Sequence, residues 1–104
     1  MTDEFGPDIV VDNLNGVEAT AVIDCLYAYT REHKSFQRIR KRISSAMIAN
    51  PTAWDFTKAD HAQLTATIRW VIAEQKKGRK IGIYPNEYLE NCEKKLWDAY
   101  RECA

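Results

Sequence analysis

Glycine and proline are scarce in this chain, four and three among 104 residues. That scarcity excludes collagen-like and loop-dominated architectures and leaves long stretches free to form helix. Net formal charge is absent too, with 15 basic and 15 acidic residues. That zero total hides a segregation of signs along the chain, so an electrostatic partner would meet local patches and not the average. Cysteine is limited to Cys25, Cys92 and Cys103, an odd number, and the last two lie about three helical turns apart, too far to bridge within one helix. A reducing, cytoplasmic compartment is therefore expected.

No long hydrophobic run is present. The richest stretches are interrupted by Asp24, Arg31, Arg69 and Glu74, so no window approaches the roughly 20 apolar residues of a membrane span. Ile9-Val10-Val11 follows acidic Asp3, Glu4 and Asp8, the reverse of a secretory leader, and neither export nor membrane insertion is expected. No phosphate-binding loop or dinucleotide fingerprint occurs, and no Glu-x-x-His pair of the kind that holds two irons. His33, His61 and the cysteines lack the short spacings of a zinc site, so no cofactor and no metal are expected. A Cys25–His61 or Cys25–His33 nucleophile would have to be assembled in space, and Cys25 stands mid-helix where no dipole activates it. The chain is accordingly read as non-enzymatic.

What is present is amphipathic helix. Apolar residues at 45% suffice for one core, and residues 1–104 are read as a single domain with 1–8 as a loose lead-in. Asn15 with Glu18 three positions on predicts a helix start near Val17, and Asn50-Pro51 predicts its stop. Between them the apolar stripe Val22, Leu26, Tyr29, His33, Phe36, Ile39, Ile43 and Met47 keeps phase, favouring one helix. Ser35 as a cap, and the unusual length, favour two. Both readings stand. Thr57 and Asp60 open a helix over 58–77 that Gly78 stops, and Asn86 opens a last one to about Cys103. The expected fold is mostly all-α, a small bundle of three to four helices, with a short two-stranded ribbon formed by residues 9–11 and 81–84.

The charges are segregated despite their zero sum. Residues 1–30 carry acids and no Lys or Arg, whereas residues 31–42 carry Arg31, Lys34, Arg38, Arg40, Lys41 and Arg42 against Glu32 alone. On a continuous helix, Phe36, Ile39, Ile43 and Met47 span about 0 to 80° and Arg31, Lys34, Arg38, Lys41 and Arg42 about −60 to −160°. Those five cations form a ridge opposite the core face, and reversing Arg38, Lys41 and Arg42 together is expected to leave the fold intact. Trp70 lies off its helix's main stripe and is read as an exposed anchor, since Trp, Tyr and Arg dominate binding hot spots.

A small helical chain with a basic ridge and no catalytic motif resembles, in general type, the accessory proteins with which phages and mobile elements block host machinery. That resemblance implies a binding protein that modulates or inhibits a macromolecular partner, most readily a protein, through Arg31, Lys34, Arg38, Lys41, Arg42 and Trp70. Two alternatives remain: a nucleic-acid module that uses the ridge, and a nucleotide or small-anion binder assembled in a homo-oligomer.

Overall fold

The structure, a computed structural model, describes residues 9–50 and 53–103, the side chain of Cys103 excepted. The lead-in assigned to residues 1–8 lies outside the described residues. The order is β1 (Ile9–Val11), α1 (Gly16–Glu32), a 3₁₀ turn (Lys34–Phe36), α2 (Gln37–Ala49), β2 (Trp54–Phe56), α3 (Lys58–Lys76) and α4 (Asn86–Cys103). The mostly helical bundle with a two-stranded ribbon expected from sequence is the observed fold. Among the described residues no helix is long and apolar enough to cross a membrane.

Local chemistry accounts for the helix starts. Asn15 and Glu18 form a reciprocal capping box, Asn15 Oδ1 accepting from the Glu18 amide at 2.8 Å and Glu18 Oε1 from the Asn15 amide at 2.9 Å. Thr57 Oγ1 accepts from the Asp60 amide at 3.1 Å and opens α3 in the same manner. Gly78, at φ +97°, takes the left-handed conformation that ends α3, with its amide returned to the Gln75 carbonyl.

Residues 17–49 form two helices. The chain leaves helical geometry at His33 (φ −128°, ψ 74°), with no side-chain cap from Ser35. The His33 ring stacks on Tyr29 at 4.1 Å, and its Nδ1 donates to the Tyr29 carbonyl at 2.9 Å. Trp70 from α3 stands perpendicular to both rings. Aromatic packing across helices thus outweighs a few residues of continued phase.

The ribbon is real, but its second strand is not the expected one. β1 pairs antiparallel with β2, Ile9 opposite Phe56 and Val11 opposite Trp54, so all four point into the core while Val10 and Asp55 face outward. Residues 81–84 are no strand, because a side chain already serves their backbone. Gln75 of α3 accepts from the Gly82 amide at 3.2 Å and donates to the Tyr84 carbonyl at 3.2 Å. This 79–85 connector lies along the bundle with Ile81 and Tyr84 packed against the core.

One apolar cluster unites the elements: Val22 and Leu26 of α1, Leu64 and Ile68 of α3, Leu89 and Leu96 of α4, with Ile9 and Phe56 beneath. Each such fully buried side chain contributes about 1.5 to 3 kcal/mol. Helix α3 packs on both α1 and α4, whereas α2 packs on α1 and β2 at the periphery. Its outer face is left to solvent.

Candidate functional site

Helix α2 buries Ile43, Ser44 and Met47 and turns Arg38, Lys41, Ser45 and Ile48 outward, a stripe at steps of three and four residues. The segment 33–54 contains no acidic residue, so α2 cannot neutralise its own cations. Elsewhere the charges are largely consumed. Lys95 meets Glu18 at 2.8 Å, Arg79 ties Glu32 to Glu74, Arg69 pairs with Glu93, and Lys94 and Arg101 share Asp98. Among the described residues Arg31, Lys34, Arg38 and Lys41 make no ion pair.

The five-cation ridge is not one surface, because the break at His33 changes the phase. Arg38 and Lys41 keep their outward positions on α2, and Lys34 is exposed on the 3₁₀ turn. Arg31 belongs to α1 and lines a groove on another side of the helix. Arg42 is engaged, and the expectation that it is free surface is corrected. Its guanidinium grips Asp60 with two bonds of 2.7 and 2.5 Å, joining α2 to the first turn of α3. The Arg42 hydrogen bonds hold the Asp60 carboxyl below its ordinary range against the opposing effect of burial, and raise the Arg42 value in turn. Arg40, from the same run, lies over the Tyr27 ring at 4.5 Å as a cation–π contact.

Trp70 is half-buried, not an exposed anchor. It meets Tyr29 edge-on at 5.4 Å and His33 at 5.3 Å, and its role is to hold the α1–α2 junction against α3. The large apolar side chains that do reach solvent are others: Ile83 at 87% exposure, Ile48 at 66%, and Val17, Val10 and Tyr27. Helical phase alone sets Ile48 about 180° from Ile39, opposite the buried stripe, although the sequence reading does not single it out, whereas Ile83 is missed because its segment alternates in the manner of a strand.

Between α1 and the connector runs a groove of about 390 Å³. Asp24, Ala28 and Arg31 of α1 form one wall, Ile81 and Ile83 the other, and Val71 and Leu89 lie within. Tyr84 donates its hydroxyl to Asp24 at 3.2 Å. Cys25 borders the groove, but burial pushes its thiol up to about 12, and Cys92 is likewise raised to about 11. Neither is a thiolate at neutral pH, and a thiol held protonated is a poor nucleophile. His61 is buried on the far side of α3, its Nε2 donating to the Leu96 carbonyl at 2.8 Å between Trp97 and Tyr100. The described His, Cys, Asp and Glu residues form no group of three that could hold a metal. Comparison with protein-family models, with curated proteins and with solved structures returned no match to this chain.

Proposed function

We propose that this chain is a non-catalytic binding protein that docks on an acidic, partly apolar surface of another protein through the outer face of α2. The observation that carries the reading is the stripe Arg38–Lys41–Ser45–Ile48. Two cations without an acidic neighbour anywhere in 33–54 share one helix face with a 66% exposed isoleucine. Carboxylates on the partner would meet Arg38 and Lys41 and speed encounter, while Ile48 would fill an apolar depression and slow release.

A protein is favoured over nucleic acid by the same surface. Net charge is zero and the free cations are few, so displacement of phosphate counterions supplies little affinity. An exposed isoleucine has no counterpart on a phosphate backbone.

The test passes extract from the native source, with and without nuclease, over the immobilised chain and over its R38E/K41E variant. Expected is a protein retained by the wild type despite nuclease, and retained about tenfold less by the variant at low salt. Loss of capture on nuclease treatment would favour the nucleic-acid reading. Equal retention by wild type and variant would overturn the proposal.

A further inference from the structure

The groove beside α1 carries charges of opposite sign at its two ends. Asp24 and Arg31 lie seven residues apart, two turns and about 10.5 Å along the axis, within about 20° of each other around it. Val17, Thr20, Asp24, Tyr27 and Arg31 make up the exposed face of α1, spaced by steps of three and four in the pattern of a helix that packs against another. Asp24, Tyr27 and Arg31 form the C-terminal part of this face, and Tyr27 is the exposed apolar side chain among them. The Arg79–Glu32 and Tyr84–Asp24 contacts show that the connector runs antiparallel to this face, which places Ile83 beside the Asp24–Arg31 span.

We propose that this face is the interface of a homodimer in which α1 of one copy packs antiparallel against α1 of a second. This face is self-complementary in charge. Under a two-fold axis perpendicular to α1 and level with residues 27 and 28, Asp24 of each copy stands opposite Arg31 of the other. Both ion pairs form from a single symmetry operation, as an isologous interface requires. Tyr27, with Arg40 of the same copy over its ring, lies on one side of the seam and the two connectors on the other, so that Ile83, the most exposed large apolar residue described, is covered by the second copy's connector and groove. A parallel arrangement would set Asp24 against Asp24 and Arg31 against Arg31. The charges of this face thus choose the orientation as well as permit it. A standard interface takes about 800 Å² from each partner, near an eighth of the 6306 Å² exposed by this chain. The pairing draws on Asp24, Tyr27, Arg31 and Ile83 and on none of Arg38, Lys41 and Ile48, and α2 borders it where Arg40 lies over Tyr27.

The same symmetry supplies the test, by sedimentation velocity on the full chain with circular dichroism as the check of folding. Wild type is expected to dimerise, and D24R and R31D are each expected to dissociate at least about tenfold more readily through repulsion. Mixing the two variants is expected to restore a dimer containing one copy of each, since one copy then offers cations at both positions 24 and 31 and the other offers carboxylates at both. I83D, on the exposed connector, is expected to weaken the dimer without touching either charge, and covers the case in which a variant of α1 fails to fold. A wild type that stays monomeric at millimolar concentration would overturn the proposal. So would single variants that dimerise as well as wild type, or a mixture that remains monomeric.

Discussion

Arg42 offers the sharpest separation of surface charge from structural charge in this chain. The carboxyl of Asp60 is 6% exposed and receives both guanidinium bonds, while the Arg42 side chain is 57% exposed. Removing one member of a fully buried pair costs about 3 to 5 kcal/mol. Two features reduce that figure here. Water reaches the arginine, and Asp60 sits in the first turn of α3, where the helix dipole supports an anion by about 0.3 to 1 kcal/mol. Arg42→Ala is therefore expected to destabilise by about 1 to 2 kcal/mol, or roughly 4 to 16 °C in Tm for a domain of this size. Arg42→Glu adds repulsion against Asp60 and is expected to destabilise further. Urea unfolding followed by circular dichroism measures the effect, and the Arg42→Ala/Asp60→Asn cycle isolates the pair, with a coupling of about 1 kcal/mol expected. Arg38→Ala, fully on the surface, is the control and is expected to stay within about 0.5 kcal/mol of wild type. If Arg42→Ala matches that control, or the cycle is additive, the pair does not join α2 to α3 and the reasoning fails. Reversing Arg38, Lys41 and Arg42 together, attractive when all three read as one ridge, would confuse loss of fold with loss of binding.

Acid is expected to destabilise the chain with a defined sign. Folding lowers the Asp60 carboxyl from 3.8 and the Glu18 carboxyl from 4.5, the latter because hydrogen bonds from Lys95 and Asn15 outweigh burial. Groups depressed in the folded state stabilise it fully above those values, and the contribution is lost as pH falls through the depressed ones. Unfolding free energy should thus be flat near neutrality and fall below about pH 4, with a shallower fall in Asp60→Asn; a stability that rises on acidification would contradict both assignments. Trp70→Ala is expected to destabilise by about 2 kcal/mol, less than a fully buried tryptophan, by loosening the junction with Tyr29 and His33. An unchanged urea midpoint would return Trp70 to the surface.

Much of this molecule is legible from neighbours in sequence. Asn15 and Glu18, Thr57 and Asp60, and the Gly78 stop act across three residues or fewer, and a local rule therefore finds them. Helical periodicity likewise identifies Leu64, Ile68, Leu89 and Leu96 as core, because burying one stripe is the common requirement of every helix in a bundle. The rest was decided between distant segments. His33 ends α1 because Trp70, on another helix, packs against it and Tyr29, an arrangement that the unbroken phase of residues 22–47 conceals. Residues 54–56 rather than 81–84 pair with β1, since Gln75 has already satisfied the connector's backbone. Arg42 leaves the cationic surface for Asp60, 18 residues away, and Tyr84 reaches Asp24 across 60. Periodicity specifies which face of a helix turns inward. Which charges on the outward face stay free depends on what the fold brings beside them: periodicity already turns Arg38, Lys41 and Ile48 outward, whereas the engagement of Arg42 by Asp60 and the groove that sets Ile83 beside Asp24 and Arg31 were decided only by tertiary structure.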